Sequence, residues 1–140
     1  MNERYQEIIS ALPKQFNTLL DVRCGDGELI SLISEKFKAS FTGLDEEAEN
    51  VAAARKRNIP NAVFFICRPT SLYFKNGSLD VVISPLPLIT YKEIFRVLSP
   101  NGGVFILVVN PNTARMEVKI LKELGFPEVA LNGNLLIAKK

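Results

Sequence analysis

The sequence predicts an α/β fold: a doubly wound, mostly parallel sheet with helices on both faces and an antiparallel hairpin strand at the C-terminus. Three observations carry this. Short apolar runs rich in β-branched and aromatic residues alternate with stretches at helical spacing, the pattern of strand–helix–strand units. The first run, "LLDV", leads into the tight glycine pair of "RCGDG" and then into a helix-like stretch. The last segment, "EVALNGNLLIAKK", sets Asn132-Gly133 between two apolar runs, a hairpin signal.

Each element has its own warrant. Residues 2–12 place Tyr5, Ile8, Ile9 and Leu12 on one helical face, and Pro13 ends that helix. "FNTLLDV" reads as a buried strand, and residues 27–37 as a helix with Leu29, Leu32, Ile33 and Phe37 facing inward. "ASFTGLD" is a second strand. "EEAENVAAARKRN" is an alanine-rich helix with acids first and bases last, matching its dipole. "AVFFI" is a third strand, and "CRPTSLYFKNGS" a loop turned by Asn76-Gly77. "LDVVIS" makes a fourth strand, "TYKEIFRVLS" a helix stopped by Pro100, and "VFILVVN" a fifth strand. "TARMEVKILKELGF" is a helix with Gly125 as its C-cap.

The 140 residues suit one domain spanning 1–140, with an N-terminal helix in 1–13, a ligand-binding core in 17–110 and a C-terminal helix and hairpin in 113–140. A net charge of +2, with bases and acids interleaved, gives no strong nucleic-acid signature. The chain has no histidine and two widely separated cysteines, Cys24 and Cys67. That removes most zinc sites and every catalytic pair that needs histidine. Both cysteines read as reduced, partly buried core residues. The charged N-terminus lacks a signal-peptide core, and the longest apolar runs are too short to span a bilayer. The expectation is a cytoplasmic protein with no membrane association.

Open parallel sheets bind ligands beyond the carboxyl ends of their strands, where strand order reverses. The loop there is "RCGDG". Gly25 and Gly27 permit positive φ and close backbone approach. The following helix offers unpaired N–H groups. Asp21 can hold the loop by accepting backbone hydrogen bonds, and Cys24 lies within it. Asp45 ends the second strand 20 residues beyond Gly25, where a carboxylate can take both hydroxyls of a ribose. Asp45 can equally be an N-cap. A dinucleotide fingerprint needs a third glycine where Ile30 stands, so a nicotinamide cofactor is disfavoured.

With these segments the sequence resembles the class I S-adenosylmethionine (SAM) dependent methyltransferases, in particular the type 11 branch, whose fold is Rossmann-like. "LLDVRCGDGELISLI" resembles the family's glycine-rich motif and "FTGLDEEAENVAAAR" its ribose-binding segment. "TSLYFKNGSLDVVIS" resembles the stretch from the adenine pocket into the fourth strand, and "EIFRVLSPNGGVFIL" the helix, turn and fifth strand. The resemblance implies SAM as cofactor and S-adenosylhomocysteine as product. It places Gly25 and Gly27 against the methionine and adenosine parts, Asp45 with Glu46 beside it at the ribose, and Leu72 at the adenine face. Ser84 to Leu88 would face the transferring methyl group. The acceptor would be a small molecule or an exposed group on a macromolecule, and a protein partner or homodimer fits as well. Tyr91, Lys92 and Glu93 lie near that rim and read as a solvated helix start.

Two positions depart from the family pattern. Arg23 stands where the family loop begins with glycine, and Arg68 where an acidic residue meets the adenine amino group. Loss of that acceptor costs about 1–3 kcal/mol. If position 23 needs a glycine-like conformation, arginine adds about 1–2 kcal/mol of strain. Alternatively one arginine grips the methionine carboxylate, or both side chains swing into solvent. A site respecialised for phosphate is opposed by Asp45 and its neighbouring acids. The alternative to an enzyme is a non-catalytic methyltransferase-like binding or scaffold subunit, docking through an apolar patch around residues 1–12 or 85–91.

Overall fold

The computed structural model describes residues 2–140; Met1, the first residue of the expected 1–13 segment, lies outside the described residues. Helix α1 (Glu3–Ala11) starts where the Asn2 side chain accepts the Arg4 N–H at 2.9 Å, and Leu12, which precedes Pro13, is extended. The chain continues through β1 (Thr18–Asp21), α2 (Glu28–Lys36), β2 (Ser40–Asp45), α3 (Ala48–Lys56) and β3 (Ala62–Ile66). The second half holds β4 (Val81–Ser84), α4 (Lys92–Val97), β5 (Val104–Val108), α5 (Arg115–Leu124), β6 (Glu128–Asn132) and β7 (Leu135–Lys139).

The strands form a seven-stranded sheet in the order β3-β2-β1-β4-β5-β7-β6. All pairs among β1 to β5 are parallel, and β7 runs antiparallel to both β5 and β6. Only β7 is therefore reversed, as the terminal hairpin predicts, with Gly133 at φ 60° in its turn. This is the Rossmann-like, doubly wound α/β fold that the alternating segments imply. The order reverses between β1 and β4, and that seam is pinned at its amino end. Asp80 Oδ2 accepts the N–H groups of Asn17 and Thr18 at 2.8 and 3.2 Å, while Thr18 Oγ1 accepts the Asp80 N–H at 2.9 Å.

Successive sheet residues point to opposite faces, and two cores result. Leu19, Val81, Ile83, Val104 and Ile106 pack under α1, α2 and α3. Leu20, Val82, Phe105 and Leu107 pack under α4 and α5. The apolar face of α2 is rotated from expectation: Leu29, Ile30 and Ile33 are buried, while Leu32 and Phe37 are only half-buried. A helix packed on a sheet buries a wide stripe, so two adjacent residues share it. Helix α4 ends earlier than Pro100 requires, because Leu98 turns extended and bridges Leu79.

Strand β3 is an outer edge. Only Phe64 of its apolar run is buried, whereas Val63, Phe65 and Ile66 are about half exposed. Its connection to β4 contains no helix. Arg55 reaches from α3 across this edge and donates Nε and Nη2 to the Phe64 carbonyl at 3.1 and 2.7 Å.

Candidate functional site

The carboxyl ends of β1 and β4 define the switch point, and the loop after β1 is built there from backbone hydrogen bonds. The Arg23 N–H donates to Asp21 Oδ1 at 3.0 Å, the Cys24 N–H to the Leu44 carbonyl at 2.8 Å and the Gly25 N–H to Asp45 Oδ2 at 3.0 Å. Gly27, at φ 84°, is the N-cap of α2, and a Cβ there would sit 3.0 Å from the Ala54 Cβ. Gly25 has φ 56°, and nothing lies within 4 Å of where its Cβ would stand. One glycine thus allows close helix packing and the other leaves open space above the loop. Arg57 closes the far side, donating to the Asp26 carbonyl at 2.7 Å and to its carboxylate at 3.2 Å.

Burial dominates the loop's electrostatics. Asp21 is buried, and its carboxyl is pushed up to about 7 by desolvation, opposed by the Arg23 N–H and aided by the charge of Asp45. Burial, with Asp21 and Asp45 nearby, pushes the Cys24 thiol up to about 12. Cys24 is therefore an uncharged thiol packed beneath the loop, against Gly43, where a Cβ would come within 2.8 Å of its own. Cys67 is half-buried, and burial raises its thiol too.

Asp45 is not the N-cap of α3: Glu47 holds that position, without a side-chain cap bond, because the helix starts only at Ala48. Asp45 Oδ1 accepts the Glu47 N–H at 2.9 Å and the Asn50 side chain at 3.3 Å, which ties the start of α3 to the end of β2; its Oδ2 holds Gly25. A carboxylate has about four acceptor sites, so capacity remains for a ligand hydroxyl.

Neither arginine is free. Arg23 Nη2 lies 3.5 Å from Glu46 Oε2 and Arg68 Nε 3.3 Å from Glu46 Oε1, so one glutamate joins both departures. Such exposed pairs contribute about 0–1 kcal/mol and open readily. The expected backbone strain at position 23 is absent: among the described residues only Asn58 and Asn61 are non-glycine residues with positive φ. The Nε of Arg23 is buried with no hydrogen-bond partner. A groove of about 450 Å³ opens beside this bridge, lined by Glu46, Ile66, Arg68, Ser71 and Tyr73 among others.

Leu72, at the expected adenine face, is buried, and it is held by a device the sequence reading missed. Its N–H donates to Glu93 Oε1 at 3.0 Å, and its carbonyl accepts Arg96 Nη2 at 2.7 Å. Arg96 also grips the Phe74 carbonyl, Asn76 and Glu93. The hydrogen bonds from Arg96 hold the Glu93 carboxyl below its usual range. The pair spaced i,i+3 on α4 was the available signal. Glu93 is thus no solvated helix start, and neither is Tyr91, which is buried, accepts the Leu88 N–H at 2.9 Å and packs on Phe105. Helix α4 begins only at Lys92, which leaves Tyr91 to pack into the core; Lys92 itself is exposed. Ser84 is fully buried, and its Oγ donates to the Leu86 carbonyl.

A family model described as a methyltransferase domain matches residues 19–102. Two curated relatives are similar in sequence. A malonyl-[acyl-carrier protein] O-methyltransferase of Marinomonas is 27% identical, over 71% of this chain and 41% of its own length. A trans-aconitate 2-methyltransferase of Acidovorax is 31% identical, over 76% of this chain and 43% of its own. The chain therefore spans about two-fifths of the curated relatives it matches. A crystal structure of an S-adenosyl-L-methionine-dependent methyltransferase from Methanococcus maripaludis superposes with TM-score 0.81 at 14% identity, covering 97% of this chain and 82% of that one. These likenesses do not favour a non-catalytic scaffold. No helix among the described residues is long and apolar enough to cross a membrane.

Proposed function

The chain belongs to the methyltransferase-domain family, whose cofactor is SAM, and from that premise we propose that it binds SAM over the carboxyl ends of β1, β2 and β3 and transfers the methyl group to an acceptor beyond β4. The observation that carries the reading is the junction of the glycine loop with Asp45: a hydrogen bond of 3.0 Å fixes Gly25 to the carboxylate, while the space above Gly25 is open. In this reading Asp45 takes the ribose hydroxyls, Gly25 and Gly27 admit the cofactor backbone closely, and Leu72 packs on the adenine. Asp21 and Cys24 support the loop from beneath. Arg23, under-partnered at Nε, turns from Glu46 to the methionine carboxylate. Glu46 and Arg68 then border the adenosine side.

Bound SAM would supply an electrophilic methyl group on a sulfonium. The chain's own contribution is positioning, which suffices when the acceptor is already nucleophilic. Ser84, with its hydroxyl spent on the Leu86 carbonyl, shapes the turn that faces the methyl and moves no proton. The names of the two curated relatives describe carboxylic acids or their derivatives, so a carboxylate-bearing acceptor, free or carried on a macromolecule, is the class to screen first.

Calorimetric titration with SAM and S-adenosylhomocysteine tests the reading. Micromolar binding to the natural chain, weakened at least about tenfold in Asp45→Ala, is expected. Absence of binding in both the natural chain and Arg23→Gly would sink it.

A further inference from the structure

We propose that the groove beyond β4 and β5 is a binding site for a small zwitterion of the amino-acid class, with Glu117 taking its ammonium and Arg4 its carboxylate. The proposal rests on the methyltransferase reading only for the ligand's role as acceptor. The groove measures about 560 Å³ and is lined by Pro85, Leu86, Val109, Asn110, Glu117 and Arg4 among others. That volume is within the range of small-molecule sites. Its position follows from topology: Pro85 and Leu86 continue from Ser84 at the end of β4, and Val109 and Asn110 from the end of β5.

Two charges on this groove form no ion pair among the described residues. Glu117 Oε2 is buried and accepts no hydrogen bond. Among the described residues Arg4 enters no ion pair, and the two side chains do not pair with each other although they line the same groove. A desolvated carboxylate oxygen without a donor is unfavourable, and nearly all buried polar atoms in folded proteins are satisfied. An N–H donor from a ligand repairs this. A ligand carrying only carboxylates meets Arg4 but is repelled by Glu117; one carrying only an amine does the reverse. A molecule with both groups, separated by a short apolar stem lying on half-exposed Leu86, satisfies both walls at once.

The test is an amide-shift titration of the full ¹⁵N-labelled chain with γ-aminobutyrate, butylamine and butyrate. The zwitterion is expected to bind about tenfold more tightly than either single-charge probe, shifting the amides of Leu86, Asn110 and Glu117. Glu117→Gln should reduce it to the affinity of butyrate, and Arg4→Gln to that of butylamine. Equal binding of the three probes, shifts elsewhere, no shift, or an unchanged preference in Glu117→Gln would each overturn the proposal. SAM added to the same samples reports separately through the amides of Gly25 and Gly27. Zwitterion binding with silence at those glycines overturns the cofactor reading alone; the converse overturns this site alone.

Discussion

The loops after β1 and β3 each carry one arginine that departs from the family pattern, yet they are built differently. In residues 22–27 the N–H groups of Val22, Arg23, Cys24, Gly25 and Gly27 all have fixed acceptors. In residues 67–78 the chain is held mainly by side chains of α4, through Arg96 and Glu93. The first loop is shaped by its own backbone hydrogen bonds. A changed side chain at position 23 leaves that backbone as it was, without positive φ. The second loop is shaped by side chains, and Arg68 lines the groove beside it. A loop built on its main chain keeps its shape when a side chain changes; a loop built on side chains does not.

Five measurements sharpen or break this contrast. The largest effect belongs to the support under the first loop. Burial raises the Asp21 carboxyl from 3.8 to about 7, so folding favours its protonated form. That stabilisation is fully present below about pH 4 and is lost as pH rises to about 7, on the order of 4 kcal/mol in all. In Asp21→Asn the decline over this window should vanish, with stability at neutral pH unchanged or raised; chemical denaturation across pH reads it. A profile identical to the natural chain's would refute the assignment. Next, Gly27→Ala should destabilise by about 2–3 kcal/mol, since it adds a Cβ at φ 84° and 3.0 Å from Ala54. A thermal midpoint within error of the natural chain would contradict that.

Arg96→Ala should cost about 1–3 kcal/mol and free the second loop selectively. Hydrogen exchange should rise at Leu72 and Gly77 and stay unchanged at Gly25. Uniform loosening of both loops would erase the distinction between them. Smallest are the departures themselves. Arg23→Ala should move stability by less than about 1 kcal/mol, as an exposed pair implies. Arg68→Asp should tighten SAM by about tenfold by restoring an acceptor. The contrast fails if Arg23→Ala is the more disruptive of the two.

What was legible in the sequence follows the same division. The glycine pair, Asp45 and the hairpin turn are local signals, because a positive φ or a strand end is encoded within a few residues. The parallel sheet was legible from alternation alone. The edge position of β3 was not, since "AVFFI" reads the same at an edge as in the middle. The early end of α4 depends on Leu98 meeting Leu79, and the Leu72 clamp on Arg96 meeting a loop 24 residues away. Arg4 and Glu117 line one groove only because the first turns of α1 and α5 both lie beside it. Long-range meetings of this kind leave no periodicity to read.

The fork of Arg55 on the Phe64 carbonyl bears on how the molecule behaves in a crowd. An apolar outer strand with half-exposed Val63, Phe65 and Ile66 is a template on which other chains can add strands. A guanidinium seated on its outward carbonyl means that an incoming strand must first displace a charged group. Light scattering of concentrated Arg55→Ala should rise over time where the natural chain stays clear, and equal clarity would remove this guard from the account. On the expected outcome a single long side chain is what keeps an exposed, sticky border from growing into a polymer.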